Sequence, residues 1–180
     1  MIIKTKNNKE VCLRRLQSAD FDNLFDYLQN LSADTKHRFA PHVFDKQSIL
    51  DFYENNDENL GYVAEDVTAG QIVAYSILKL GWLEHDYDRL QSYGLSLDAN
   101  TDCTFAPSIA DSWQSCGLGN ALFSFLCSEM KEKGFKRIIL WAGVDSDNEK
   151  AIKFYLKNGF RFLGQFEYNG LNDDMILEVI

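Results

Sequence analysis

Residues 103–144 constrain the fold more than any other part of the chain. They place an extended segment, a glycine turn, a long amphipathic helix and an almost wholly apolar segment in that order. Leu118, Leu122, Phe125, Leu126 and Met130 recur at helical spacing, which predicts a helix over 117–133 closed by Gly134. Residues 137–144 are nearly all apolar, as in a strand buried on both faces. Strand, helix, buried strand is the signature of a right-handed crossover between two parallel strands. The first strand, 103–110, carries Pro107, which cannot donate to a regular ladder and predicts a bulge or a splayed strand. Between strand and helix lies Gln114-Ser115-Cys116-Gly117-Leu118-Gly119-Asn120. Two glycines let the backbone turn and let a ligand come close. The first amides of the helix then converge, and with the helix dipole they make an anion site suited to a diphosphate. On the glycines alone, a plain tight turn reads equally well.

The remaining pattern surrounds this crossover with antiparallel elements. Residues 10–16 alternate as a strand with Val11 and Leu13 on one face, and 18–31 read as an amphipathic helix through Phe21, Leu24, Phe25, Leu28 and Leu31. A connection over 35–44 carries Pro41, and Asp45 or Ser48 starts a short second helix through Ile49, Phe52 and Tyr53. Two apolar strands, 60–66 and 71–80, flank Val67-Thr68-Ala69-Gly70 as a hairpin. Residues 81–102 read as a long polar, tyrosine-containing loop, of a length that is usually either functional or disordered. A last helix over 148–158 ends at Gly159, and strands 160–168 and 171–180 flank Asn169-Gly170, a strong hairpin signal. The order βααβββαβαββ describes one mixed α/β domain over residues 1–180 with a single parallel crossover.

Charge narrows the partners. With 27 acidic and 18 basic residues the formal net charge is −9, which disfavours nucleic acid and anionic membranes and mildly favours a cationic partner. Cys12, Cys103, Cys116 and Cys127 have neither C-x-x-C spacing nor a nearby histidine, so no metal site is expected and the thiols read as free in a reducing, cytoplasmic setting. No run approaches the length of a membrane span, and the polar start is unlike a signal peptide.

Gln114-x-x-Gly117-x-Gly119 after a strand and heading a helix resembles the coenzyme A motif of the GCN5-related N-acetyltransferases (GNAT). The run from Asn148-Glu149-Lys150-Ala151 through Phe154-Tyr155 to Asn158-Gly159-Phe160 is similar to that family's next motif, and Leu13-Arg14-Arg15-Leu16 with Asp20 to its first strand and helix. The resemblance implies a GNAT-type mixed, mostly antiparallel central sheet with a splayed strand pair and helices on both faces. It also implies acetyl-CoA as cosubstrate and transfer of its acetyl group to a primary amine by direct attack, with no covalent enzyme intermediate and no metal. Carried over by position, Ile109 and Ala110 bond the pantetheine arm in strand fashion, and the Ile109 N–H polarises the acyl carbonyl. Backbone amides of Gln114, Cys116, Gly117, Leu118, Gly119 and Asn120 hold the diphosphate. Asn148 contacts the arm, and Tyr155, seven residues on and therefore on the same helical face, acts as general acid toward the departing thiolate. As a plain aromatic, Tyr155 also suits the core.

The base is less regular. The family's glutamate falls on Cys103, with Asp102 beside it, which leaves Asp102, Glu84 and His85 as candidates; each also reads as a solvated loop charge. Cys103 and Cys116 read as small buried hydrophobes. The acceptor groove is expected among Arg38, Phe39 and His42, then Trp82, Glu84, His85, Tyr87 and Tyr93, then Tyr168, with Arg38, Phe39 and Tyr87 as substrate contacts for a cationic amine. The chain is expected as a monomer or homodimer. Two rival readings remain: a coenzyme A-binding domain without catalysis, and a Rossmann-type nucleotide fold, against which Leu122 at the third glycine position and the hairpins count.

Overall fold

The computed structural model describes residues 1–54 and 56–179. Among the described residues nine strands form one sheet: β1 (Ile2–Lys4), β2 (Glu10–Arg15), β3 (Asn59–Asp66), β4 (Ile72–Leu80), β5 (Asp102–Ile109), β6 (Arg137–Leu140), β7 (Val144–Asp145), β8 (Arg161–Glu167) and β9 (Leu171–Glu178). Their order is β1-β2-β3-β4-β5-β6-β9-β7, with β8 paired to β9. β5 and β6 run parallel, Asp102 to Phe105 against Arg137 to Leu140, while β1-β2, β2-β3, β6-β9, β7-β9 and β8-β9 are antiparallel. The helices are α1 (Phe21–Gln29), α2 (Ala33–Arg38), α3 (Lys46–Tyr53), α4 (Tyr87–Ser92), α5 (Leu118–Glu132) and α6 (Glu149–Lys157). A mostly antiparallel sheet with one parallel pair is not doubly wound, so the Rossmann reading is wrong.

The chain divides into two compact units, Met1–Leu78 with Ala106–Leu126, and Lys79–Phe105 with Cys127–Ile180. The first unit holds β1 to β3, α1 to α3, most of β4, the end of β5 and the start of α5. Both faces of its sheet are covered. On β3, Tyr62 meets Phe125 of α5 (ring centroids 6.2 Å apart). The adjacent Gly61 faces the other way, where an added Cβ would lie 2.7 Å from the Tyr53 hydroxyl of α3. Successive side chains on a strand point to opposite faces, so α3 and α5 take one face each. The second unit holds the start of β5, β6 to β9, α4, α6 and the rest of α5. Its small core joins Leu90, Ile139 and Ile176, with Trp82, Tyr93, Leu95, Leu97 and Leu163 against it.

Four elements differ from the sequence expectation. Ile2 and Ile3 add the edge strand β1, opposite Cys12 and Val11, where only a polar start was expected. α2 falls partly in the expected connection 35–44. Its sequence is polar and has no apolar period, and it is held by the Ser32 cap on the Thr35 N–H and by Asp111, which accepts from the Ser32 N–H and from the Ser32 and Thr35 hydroxyls. The expected loop 81–102 contains a 3-10 turn and α4, because Leu90 is drawn into the core. The expected single strand 137–144 is two strands. Ala142 and Gly143 take φ of 52° and 71°, and two successive left-handed residues end the ladder. A Cβ on Gly143 would come within 2.8 Å of Phe166 and 3.0 Å of the Asp173 carbonyl, so only glycine fits.

Elsewhere the local signals are met. Asp45, not Ser48, caps α3 by accepting the Ser48 N–H at 2.8 Å. Gly70, Gly134 and Gly159 take positive φ at the expected hairpin and helix ends, and Asn169-Gly170 turns between β8 and β9. Ile180, included in the expected last strand, lies outside the described residues.

Candidate active site

The edge of β5 in the first unit is organised by strand alternation. The Ala110 N–H donates to the Val73 carbonyl of β4 at 2.9 Å. A residue's N–H and C=O point to one side of its strand and its neighbours' to the other. Ile109 and Pro107 therefore present their backbone groups away from β4. This explains Pro107: it lies where no ladder hydrogen bond to β4 is needed, and the strand runs through it to Ile109. The parallel pairing with β6 ends at Phe105, whose carbonyl accepts from the Trp141 N–H at 2.9 Å. Ile109 thus offers an N–H outward, while its carbonyl accepts from the Gln114 side chain at 3.2 Å. Ala110 does not share this role. Its N–H is held by Val73 and its C=O accepts from Trp113 at 2.8 Å, so neither group of Ala110 is open to the extended arm that was expected to bond it.

The turn that follows is built by a 3-10 turn over Asp111–Trp113 and by two left-handed residues, Ser115 (φ 63°) and Gly117 (φ 89°). The Cys116 thiol donates to the Trp113 carbonyl at 2.9 Å, and the Lys6 N–H donates to the Cys116 carbonyl at 3.0 Å. The turn is thereby tied from inside and from the β1-β2 hairpin. The Gly117 carbonyl accepts the Ala121 N–H at 3.2 Å, the first bond of α5. A helix start leaves its first N–H groups without intrahelical partners, and a glycine in the capping place has no side chain to satisfy them. The N–H groups of Cys116, Gly117, Leu118 and Gly119 donate to no described residue. The Gln114 N–H is directed to the Asp111 carbonyl at 3.4 Å, so Gln114 serves the turn more through its side chain on Ile109 than as a diphosphate donor. Leu118 itself is buried and anchors the helix mouth.

Near this turn, Arg38 at the end of α2 pairs with Asp34 at 3.1 Å. Phe39 is 6% exposed and packs edge-on against Tyr75 at 5.8 Å. It belongs to the core, which corrects its expected place as a substrate contact.

In the second unit, Asn148 caps α6: its Oδ1 accepts the Ala151 N–H at 3.2 Å. Its amide nitrogen donates to no described residue. Tyr155 is buried against Phe154 and Phe160, both with ring centroids 5.3 Å away. Its hydroxyl bonds no described residue, and burial pushes the phenol above its ordinary range.

The base candidates separate clearly. Asp102 is fully buried, and its two oxygens accept from Arg137 Nε and Nη2, each at 2.7 Å; Oδ2 also accepts the Asp98 N–H at 2.8 Å. A fully buried carboxylate held by a guanidinium in this way fastens the start of β5 and is out of reach of an amine in solvent, against its expected role as base. Cys103 is buried with its thiol pushed up by burial, so it is a packing residue. Glu84 and His85 are exposed on the 3-10 turn before α4, with His85 3.5 Å from Asp86. Tyr87 packs tilted against Trp82, ring centroids 5.5 Å apart, and its hydroxyl accepts from Gln91.

Two clusters were missed from sequence. Arg89 sits between the buried carboxylates of Asp86 (2.8 Å) and Asp174 (2.7 Å), over the Phe166 ring, with the Tyr93 hydroxyl donating to Asp174 at 3.0 Å. Burial, with Asp174 beside it, pushes the Tyr93 phenol up to about 12. Asp174 at the head of the apolar run Met175-Ile176-Leu177 was the available signal. The second cluster joins His42, Tyr53 and Tyr75, and its signal was a tyrosine inside the apolar run of β4.

One mixed, mostly antiparallel sheet thus carries a glycine turn that opens a helix with unfilled amides. The sequence profile described as "Acetyltransferase (GNAT) family" matches residues 25–160. The chain belongs to the GNAT acetyltransferase family. Among solved structures it resembles the GNAT domain of PAT from S. lividans, at 17% identity and TM-score 0.77 over 99% of this chain and 96% of that one. It resembles a Salmonella typhimurium protein solved with its cofactor acetyl-CoA, at 19% and 0.69 over 94% of each chain. The ribosomal-protein-S18-alanine N-acetyltransferase of Escherichia coli matches at 17% and 0.62, again over 94% of each. A search of curated proteins by sequence finds no match. Among the described residues no helix is long and apolar enough to cross a membrane, and no group of three or more His, Cys, Asp or Glu is placed to hold a metal ion.

Proposed function

We propose that the chain transfers the acetyl group of acetyl-CoA to a primary amine of a small molecule or peptide by direct attack. The observation that carries this is the row of unfilled amides from Cys116 to Gly119 at the mouth of α5. Such a row suits the diphosphate of the carrier in spite of the chain's net charge of −9, because backbone dipoles supply the field. Acetyl-CoA supplies the activated acyl thioester.

The Ile109 N–H then polarises the acyl carbonyl as charge develops on its oxygen. The neutral amine nitrogen bonds to the carbonyl carbon, the C–S bond breaks, Tyr155 gives its proton to the departing thiolate, and the proton shed by the new amide nitrogen passes to solvent, from which Tyr155 regains its own. The unpartnered Tyr155 hydroxyl and the unspent Asn148 amide support the roles that the family motif gives them. An acidic surface supports a cationic acceptor, with Arg38 and Tyr87 as contacts. Turnover of acetyl-CoA against grouped amines tests the reading: release of free thiol with at least one group supports it, and none from any group contradicts it.

A second reading has one observation behind it. The family's base position carries the buried Cys103, and its neighbour Asp102 is locked to Arg137. A chain that binds acetyl-CoA but acetylates nothing fits this, and the same assay with a parallel binding titration separates the two.

A further inference from the structure

The hairpin turn between β1 and β2, residues 5–9, reaches the mouth of α5 within the first unit. The turn is tied from inside. The Thr5 N–H donates to the Lys9 carbonyl at 2.9 Å and the Asn8 N–H to the Thr5 carbonyl at 3.0 Å. The buried Thr5 hydroxyl accepts the Lys9 N–H at 3.2 Å and donates to the Asn7 side chain. Asn8 takes φ of 62°, a conformation that asparagine tolerates better than most residues. A turn held in this way carries its side chains at fixed places.

Two of those side chains are lysines, and both lie against the segment that leads into α5. The Lys9 ammonium is 4.2 Å from the centre of the buried Trp113 ring, so it is engaged by that ring. Lys6 lies further along, on the glycine turn itself. Its N–H donates to the Cys116 carbonyl at 3.0 Å. Its stem runs over Gly117: a Cβ built there would be 3.5 Å from Lys6 Cε, 3.6 Å from Cγ and 3.8 Å from Cδ. The ammonium is one bond beyond Cε. Among the described residues it makes no hydrogen bond, ion pair or ring contact. A cation on an exposed side chain is thus brought beside the unfilled amides of Cys116, Gly117, Leu118 and Gly119, in a chain whose net charge is −9.

We propose that Lys6 completes the diphosphate site, its ammonium bonding an oxygen of the same diphosphate that these amides hold. This rests on the acetyl-CoA reading above. The two kinds of donor do different work. Amides fix the direction of the oxygens, but a helix start offers only about half a unit of positive charge. A diphosphate link carries more negative charge than that. An ammonium on a flexible stem supplies a full compact charge and follows the phosphate as it seats. The stem lies on Gly117, inside the row of amides, so the phosphate it meets is the diphosphate and not the 3′-phosphate on the ribose. The β1-β2 turn thereby becomes a wall of the carrier site, joined to it by the main chain of Lys6 as well as by its side chain.

The test is a calorimetric titration of the whole chain with acetyl-CoA and with its dephospho form, which lacks the ribose 3′-phosphate. Lys6→Met keeps the stem and removes the charge. It is expected to weaken both ligands about 10-fold at low ionic strength. The gap to the unmodified protein should narrow at high salt, where charges are screened within a few ångströms, and Lys6→Arg should restore most of the affinity. An unchanged melting curve checks folding. Equal affinity in Lys6→Met and the unmodified protein overturns the proposal. A loss seen with acetyl-CoA but not with the dephospho form also overturns it, since Lys6 then holds the 3′-phosphate. So does a loss that ignores salt and is not restored by arginine, which marks altered packing of the turn. An unmodified protein that binds neither ligand removes the acetyl-CoA reading itself.

Discussion

Tyr155 is buried, yet its hydroxyl bonds no described residue. An unpartnered buried hydroxyl contributes little to stability, so its removal separates chemistry from folding. Tyr155→Phe is expected to leave the melting temperature and acetyl-CoA affinity nearly unchanged and to lower kcat about 10²-fold, the usual scale for a lost general acid. Steady-state kinetics beside a melting curve checks it, and an unchanged kcat removes Tyr155 from the mechanism. Because its pKa is raised by burial, the phenol keeps its proton through the alkaline range. The basic limb of activity is therefore expected above pH ~10, the ordinary phenol value. His42 works in the opposite direction. Its folded pKa lies below the unfolded value, so the folded form binds fewer protons, and its stabilising effect holds above about pH 6.5 and fades as pH falls through the folded pKa. Melting temperatures between pH 7.5 and 5 should decline, and His42→Gln should flatten that decline.

At the scale of elements, the most informative segment is β5. Its period-2 alternation assigns Ile109 and Ala110 to opposite edges, a fact that sequence position alone does not carry because it depends on which neighbour β4 bonds first. The same holds for Asp102. Its charge was legible, but its partner Arg137 stands 35 residues on in sequence and meets it only through the parallel pairing of β5 and β6. Local signals fared better. The Asp45 cap, the Gly70 turn, the Gly134 helix end and the Asn169-Gly170 hairpin were readable because each is decided within a few residues. The expected single strand 137–144 failed because Gly143 is dictated by Phe166 and Asp173, which are distant in sequence. Arg137→Met should leave a fully buried carboxylate unpaired and cost about 3–5 kcal/mol. Urea unfolding measures this, and a loss below 1 kcal/mol would mean that Asp102 is held by other groups.

For the whole molecule, a chain of net charge −9 binding a polyanionic carrier must rely on a local field. The amides at the start of α5 provide one without any net charge of their own. A carboxylate placed among them should defeat it. Gly119→Glu is expected to abolish acetyl-CoA binding by calorimetry while α5 stays folded, since the substitution adds bulk and charge at the helix mouth and raises helix propensity. Family membership was legible because the two motifs, around Gln114 and Asn148, are short runs in fixed order. The acceptor side was not, since it depends on aromatic packing among α2, α3 and β4, where Phe39 proved to be core and Tyr75 a linked phenol. The most direct measurement is a crystal structure of the chain soaked in acetyl-CoA. The account predicts diphosphate oxygens within about 3 Å of the Cys116–Gly119 amide nitrogens and the acyl oxygen on the Ile109 N–H. A carrier ordered elsewhere on the molecule, with those amides still turned to solvent, would contradict it.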